Sequence, residues 1–319
     1  MHTHGVATGR RLWLSAAVTL LFVVTEFVVG WRANSLALIS DSGHNLTDVA
    51  ALLLSAWAFA MATKAPDRRR SFGYHRVGVL AALANALTLI LLAGYIFVEG
   101  YQRLVHPEPV ASLPMILVAA IALALNTSIA WALHHGSHDV NVRAAFIHMV
   151  GDAVSSVGVI LAGIGIWLTG STYWDPVVSL LIGAFILWSS WGIIRETVEI
   201  LMESTPNKID LRDLVREVGA VPGVANIHDL HVWSLSSNVQ ALSAHIALAD
   251  RAADGSETRA ILSQVRHVLR EHYQIDHTTL ETHCGDEAEE VEERATCALW
   301  PERLTLMHYG HHHDHAHSH

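Results

Sequence analysis

Residues 35–62 read SLALISDSGHNLTDVAALLLSAWAFAMA, an apolar stretch with charged side chains in its first half. About 20 apolar residues are enough for a helix to cross a bilayer. His44 and Asp48 are four residues apart, so they lie on one face of such a helix. Ionisable side chains inside a membrane are costly and usually serve a function. The stretch therefore predicts a membrane-spanning helix that carries part of a functional site.

Five further stretches have a similar length and composition. We predict six membrane-spanning helices, near residues 12–31, 35–62, 77–100, 111–133, 144–169 and 175–202. Hydrophobic residues make up 51% of the 319-residue chain, charged residues make up 16%, and the mean hydropathy is +0.33. This balance excludes a soluble globular enzyme, a disordered chain and a nucleic-acid-binding protein. The predicted fold class is an all-α six-helix transmembrane bundle over residues 11–205, joined to a small α+β domain.

The basic residues of the short loops predict the orientation of this bundle. One side carries most of them: Arg10, Arg11, Lys64, Arg68, Arg69, Arg70, Arg76, Arg143 and Arg195. The other side carries Arg32 and Arg103. Because Lys and Arg accumulate in cytoplasmic loops, we expect a multi-pass protein of the cell membrane with both termini in the cytoplasm. Residues 1–10 then form a cytosolic N-terminus that contains histidine.

The pattern changes after Pro206, where the formal charge of −10 is concentrated. A helix at 211–220, strands at 226–235 and 240–249, an amphipathic helix around 261–269 and a strand at 278–283 are predicted. This order, αββαβ, indicates a small two-layer α+β domain over residues 206–285. Residues 286–319 are predicted to be an acidic and His-rich disordered tail.

A second His/Asp pair occurs in the fifth predicted span. His148 and Asp152 repeat the spacing of His44 and Asp48. Two such helices side by side would present two imidazoles and two carboxylates, a tetrahedral ligand set suited to Zn²⁺. The two carboxylates would also neutralise the divalent charge inside the membrane. The alternative is that polar residues here only hold helices together.

Several segments in order resemble the cation diffusion facilitator family. They are Ser35–Asp48 (SLALISDSGHNLTD), Ser71–Arg76 (SFGYHR), His148–Asp152, Leu201–Pro206 (LMESTP), His228–Trp233 (HDLHVW) and Ala244-His245. The last two resemble the zinc-type branch of that family. The resemblance covers residues 10–285.

This resemblance implies a homodimer of six-helix protomers with a cytosolic ferredoxin-like domain that exports divalent metal in exchange for protons. The transport ligands would be His44, Asp48, His148 and Asp152, with zinc the expected metal and cadmium or cobalt as further substrates. The expected partners are the lipid bilayer, divalent metal ions and protons. No organic cofactor and no nucleic-acid partner are expected. Val77-Gly78 stands where family members often have an acidic residue, which argues against a metal site in that loop.

Three histidines of the α+β domain form a second candidate metal site. His228, His245 and His283 lie on or beside predicted strands, and similar positions bind regulatory metal in some family members. They are either such a site or ordinary surface residues. Cys284 is a possible additional ligand. The tail histidines from His308 onward are interpreted as a low-affinity metal-collecting segment, the alternative being a purification remnant.

Three other functions are alternatives to metal export. A Zrt/Irt-like importer also contains His-Asn-x-x-Asp, as in residues 44–48, but typically has eight helices and a second motif that begins His-Glu. An intramembrane zinc protease requires His-Glu-x-x-His, and no His-Glu dipeptide occurs in this chain. A metal sensor would not need ligands at membrane depth. No enzymatic activity is expected.

Overall fold

A computed structural model describes residues 4–134, 140–249 and 255–284. The chain divides into two compact units, residues 1–197 and 198–319, and the division falls near the end of the sixth helix. The predicted tail (286–319) and residues 135–139 lie outside the described residues.

Six long helices account for nearly all of the first unit. They are α1 (His4–Ala33), α2 (Leu36–Ala62), α3 (Arg76–Val105), α4 (Ser112–His134), α5 (Val140–Thr169) and α6 (Trp174–Leu201). Five of them, α2 to α6, are long and apolar enough to cross a membrane over their described residues. Each predicted span coincides with one of the six helices, within a few residues at most ends.

Helix packing in this unit relies on small side chains. α4 packs along α5, and α2 contacts α1, α3 and α5. Ala37, Ala93, Ala119 and Ala162 are fully buried among Leu, Ile, Val and Met side chains. Small residues let helix backbones approach closely, which is how helices associate in lipid. The outer surface is apolar instead: Phe59, for example, is 74% exposed. Such a surface suits lipid rather than water.

A buried carboxylate fixes the N-terminus of α2. The Asp175 side chain of α6 accepts hydrogen bonds from the Ser35 hydroxyl at 2.6 Å and from the Leu36 N–H at 2.7 Å. A negative charge at a helix N-terminus satisfies free N–H groups and favours the helix dipole. The Arg103 guanidinium of α3 lies 3.8 Å from the same carboxylate. α2, α3 and α6 are thereby tied together at one end of the bundle.

The second unit contains a three-stranded sheet and two helices. Its elements are α7 (Leu211–Gly219), β1 (Val224–Ser236), β2 (Val239–Leu248), α8 (Gly255–Tyr273) and β3 (His277–Cys284). The sheet order is β1-β2-β3, with β1 and β2 antiparallel and β2 and β3 parallel. The predicted order αββαβ is therefore confirmed.

The core of this unit lies between the sheet and the helices. Leu242 and Ile246 of β2 pack with Leu214 of α7 and with Val265 and Leu269 of α8. Side chains alternate across a strand, so the odd-numbered residues of β2, His245 among them, face away from the two helices. The face opposite the core is therefore the one that carries the histidines.

Candidate metal centre

The four predicted membrane ligands come together between α2 and α5. His44 and Asp48 lie one turn apart on α2, and His148 and Asp152 lie one turn apart on α5. The four side chains each offer a ligand atom within 4.8 Å of the others. We refer to these four residues as the membrane tetrad.

The distances within the membrane tetrad fit a four-coordinate ion. His44 Nε2 lies 3.6 Å from Asp48 Oδ2 and 3.7 Å from Asp152 Oδ1. His148 Nε2 lies 3.4 Å from Asp48 Oδ2 and 3.6 Å from Asp152 Oδ2. Zinc–ligand bonds of about 2.0–2.1 Å in a tetrahedron place neighbouring ligand atoms about 3.3 Å apart. Only a small contraction is needed to surround one ion.

The membrane tetrad is buried on one side and accessible on the other. The side chains of His44 and Asp152 are 10% and 5% exposed, whereas those of Asp48 and His148 are 26% and 42% exposed. Asp48 Oδ2 is buried and accepts no hydrogen bond from any described residue. A buried carboxylate oxygen without a donor is costly. A cation that arrives from the open side would satisfy it.

The carboxylates of Glu99 and Asp175 have structural partners. The Glu99 carboxylate accepts a hydrogen bond from Arg103 Nε at 2.9 Å, and Asp175 caps α2. Glu26 and Asp41 behave differently. Both lie deeper in the bundle, and both retain a buried oxygen without a donor among the described residues.

The loop between α2 and α3 holds its one acidic side chain in a hydrogen-bonded turn. Asp67 accepts hydrogen bonds from the Tyr74 hydroxyl at 2.8 Å and from the N–H groups of Arg69 and Arg70. The Tyr74 hydroxyl is the main cause that lowers the pKa of Asp67 below its usual value. This carboxylate therefore stabilises the loop.

Strand pairing brings the three histidines of the second unit together. His228 of β1 is the direct partner of His245 of β2. His283 of β3 pairs with Ala247, two residues further along β2 and on the same face as His245. The three rings each offer a nitrogen within 4.8 Å of the others, and the Nε2 atoms of His228 and His283 are 3.0 Å apart. We call these residues the C-terminal histidine cluster.

A carboxylate from the HDLHVW segment lies beside this cluster, although its spacing alone did not mark it as a neighbour of His245. The pairing of β1 with β2 shifts register between His228 and His231, and Asp229 has a φ of 47°. Such a bulge re-aims a side chain. It places Asp229 Oδ2 3.6 Å from His245 Nε2, while Asp229 Oδ1 lies 3.0 Å from His231 Nε2. The side chain of Cys284 lies outside the description.

Two family models together cover most of the chain. The cation efflux transmembrane domain matches residues 12–202, and the cytoplasmic domain of cation efflux proteins matches residues 206–282. This chain belongs to the cation efflux family. The family consists of metal transporters and not of enzymes, and its members are multi-pass membrane proteins.

Named relatives cover the chain almost end to end. It is 39% identical to the zinc transporter ZitB of Pectobacterium atrosepticum over 88% of this chain and 87% of the relative. It is 36% identical to the cadmium, cobalt and zinc/H⁺-K⁺ antiporter of Bacillus subtilis over 88% and 91%. It is also 36% identical to the cation efflux system protein CzcD of an Alcaligenes species over 88% of each. Family membership from the sequence is therefore confirmed.

Proposed function

We propose that this cation efflux protein exports divalent metal ions, zinc foremost, from the cytoplasm in exchange for protons. The observation that carries the proposal is the convergence of two imidazoles and two carboxylates between α2 and α5. Relatives named for zinc transport, and for cadmium, cobalt and zinc antiport, support this choice of substrates.

The ligand chemistry of the membrane tetrad supports proton coupling. Metal binds when both imidazoles are neutral and both carboxylates are ionised, so protons compete with metal. Unperturbed His and Asp side chains meet these conditions near neutral pH. When the tetrad turns outward, a more acidic exterior favours protonation of His44 and His148. Protonation releases the metal and carries protons inward.

The membrane topology of the proposed exporter has six spans, with α1 as the first. The basic residues of the loops place both termini on the cytoplasmic face of the cell membrane. The proposed domains are residues 1–10 (N-terminus), 11–205 (membrane), 206–285 (cytosolic) and 286–319 (tail). We assign the cytosolic domain to the ferredoxin-like class and propose that it joins two protomers in a homodimer. The family model that matches it supports that role.

The C-terminal histidine cluster is proposed to bind regulatory zinc. Three imidazoles on one sheet face, with Asp229 adjacent, offer the nitrogen and carboxylate ligands that zinc accepts. The cluster lies in the cytosolic domain and not in the membrane. It therefore senses the metal and does not carry it.

Metal uptake into inside-out membrane vesicles tests the proposed function. Vesicles that contain the protein are supplied with Zn²⁺, Cd²⁺ or Co²⁺, with and without a pH gradient that is acidic inside. We expect zinc accumulation that requires the gradient and exceeds that of control vesicles. Accumulation that is independent of the gradient, or absent, contradicts proton-coupled export.

A further inference from the structure

Two acidic side chains, one from α1 and one from α2, lie in the buried interior of the bundle. Glu26 of α1 is fully buried, and Asp41 of α2 is 1% exposed. Asn45 lies one turn after Asp41 on the same face of α2 and donates a hydrogen bond to Glu26, so the two carboxyl groups lie against the same helix face. Two like charges in a low-dielectric interior repel strongly, and each is costly to desolvate. Both groups cannot remain ionised at this place without a compensating cation.

The hydrogen bonds around the two carboxyl groups leave one oxygen of each unused. The Asn45 amide donates to Glu26 Oε2 at 3.2 Å, and the Ser155 hydroxyl donates to Asp41 Oδ1. Glu26 Oε1 and Asp41 Oδ2 are buried, and no described residue donates to them. A single proton between the two carboxyl groups would supply the missing donor and remove one negative charge.

We propose that Glu26 and Asp41 form a proton-binding pair that shares one proton and exchanges it as metal enters and leaves the membrane tetrad. This inference rests on the proposed function, because it assigns a second proton site to the same exporter. Asn45 and Ser155 hold the pair in place through their hydrogen bonds. Neither Asn45 nor Ser155 is one of the four residues of the membrane tetrad.

The position of the pair explains how it responds to metal. Asp41 precedes His44 by three residues on α2, and Ser155 follows Asp152 by three residues on α5. The charged groups that face the pair are therefore His44 from α2 and Asp152 from α5, both of which interact with it electrostatically. A divalent ion in the tetrad favours loss of the shared proton. When the ion leaves, the carboxylates of the tetrad stay ionised. Their negative charge favours the return of the shared proton to the pair.

A proton suits this pair better than a metal or alkali cation does. Hard cations such as Ca²⁺ and Mg²⁺ take six or more oxygen ligands. Only two oxygens here lack donors, and the Asn45 amide and Ser155 hydroxyl already point donors at the other two. Two buried carboxyl groups that occupy one site favour a shared proton, because both cannot ionise there.

Glu26→Gln in the full-length protein tests the proposal. The variant keeps the shape of the side chain and an oxygen for the Asn45 hydrogen bond, but it cannot exchange a proton. In proteoliposomes we expect about one proton fewer per transported zinc ion, measured with a pH-sensitive dye, and a flatter pH profile of transport. Calorimetric zinc affinity of the tetrad at neutral pH should stay within about threefold of the parent. Glu26→Asp should restore part of the coupling.

Infrared difference spectra provide the direct readout. Zinc addition to the parent protein should remove a protonated-carboxyl band, and that band should be absent from Glu26→Gln. Glu196→Gln, which changes an exposed acid of α6, is the matched control and should behave as the parent. An unchanged proton-to-zinc ratio and an unchanged band in Glu26→Gln would overturn the proposal. The proposal would also be overturned if zinc transport by the parent required potassium and transport by Glu26→Gln did not. That result would indicate that the pair binds an alkali cation.

Failure of the proposed function gives a different pattern. In that case the parent protein transports no zinc and Asp48→Ala binds zinc as the parent does, whatever the infrared band shows. If only the proton-pair proposal is wrong, the parent protein still transports zinc and the tetrad still binds it. The Glu26→Gln variant then has the same proton-to-zinc ratio and the same infrared band as the parent. The two results are therefore separable.

Discussion

The membrane tetrad and the C-terminal histidine cluster both gather ligand atoms within 4.8 Å, yet they differ in charge. The tetrad contains two carboxylates, whereas the three ligands of the cluster are imidazoles. With zinc bound, the tetrad is neutral and suits a membrane interior. The cluster with zinc is cationic, which suits the acidic, water-exposed unit around it. Ligand charge, more than geometry, therefore distinguishes the proposed transport site from the proposed regulatory site.

The two sites also differ in what positions them. The tetrad is built on two long helices that pack against each other. The cluster is built across three hydrogen-bonded strands, so its rings are fixed by strand register. Helices can slide or tilt as units on the microsecond-to-millisecond timescale, whereas a sheet keeps its register. A metal site built on two helices can therefore open alternately to the two sides of the membrane. A metal site built on a sheet cannot.

Loss of a tetrad carboxylate should have the largest effect. Asp48→Ala or Asp152→Ala removes one ligand and leaves the bound ion with an uncompensated charge. We expect transport to be abolished and zinc affinity of the tetrad to fall at least about 100-fold. Vesicle uptake and calorimetry measure these effects, with helical content by circular dichroism to establish folding. Glu196→Ala serves as the control. Transport at the parental rate in a folded Ala variant would remove the tetrad from the mechanism.

Exchange of an imidazole for a carboxylate should change selectivity and not abolish transport. His44→Asp gives a site with one nitrogen and three carboxylate ligands, which favours larger, oxygen-tolerant ions such as Cd²⁺. We expect the ratio of zinc to cadmium transport to fall about tenfold. Competition uptake with both ions measures the ratio. An unchanged ratio would mean that His44 does not contact the ion.

The C-terminal histidine cluster should control the distance between two copies of its own domain. The acidic domain repels a second copy, and bound cations relieve that repulsion. Zinc should therefore shorten the distance between spin labels on the two domains of a dimer, and His245→Ala should reduce this change. His267→Ala, on the exposed face of α8, is the control. Equal shortening in His245→Ala would assign the effect to other residues.

The histidines after Arg303 should have the smallest effect. The seven histidines from His308 onward raise the local metal concentration without contributing to translocation. Truncation after Arg303 should weaken the apparent affinity for zinc by about twofold and leave the maximal rate nearly unchanged. Initial rates across zinc concentrations measure both quantities. A folded truncation that transports no zinc would contradict this role.

Local patterns were readable from the sequence because each one depends on a single element. The spacing of His44 to Asp48 fixes one helix face, and the apolar face of β2 fixes which side of the strand meets the core. The predicted helices and strands agree with the structure for this reason, and five of the six predicted spans are long and apolar enough to cross a membrane over their described residues. The convergence of the two His/Asp pairs required only that α2 and α5 be neighbours.

The contacts that were not predicted depend on packing between elements. The sequence marks Glu26 only as a structural or proton-path acid of the first span, and the contact of α1 with α2 is what brings it close to Asp41. Asp229 looks like part of a regular strand until the bulge in β1 turns it toward His245. Asp175 caps a helix that begins 139 residues earlier in the chain. No pattern within one segment reports such a long-range contact.

X-ray absorption at the zinc edge tests the central claim most directly. The sample is full-length protein with His245→Ala to weaken the C-terminal histidine cluster, loaded with one equivalent of zinc. The account predicts four nitrogen or oxygen ligands at about 2.0–2.1 Å, two of them imidazoles, and loss of this spectrum when Asp152→Ala is added. A spectrum with sulfur ligands, with three or more imidazoles, or unchanged by Asp152→Ala would contradict the assignment of the membrane tetrad.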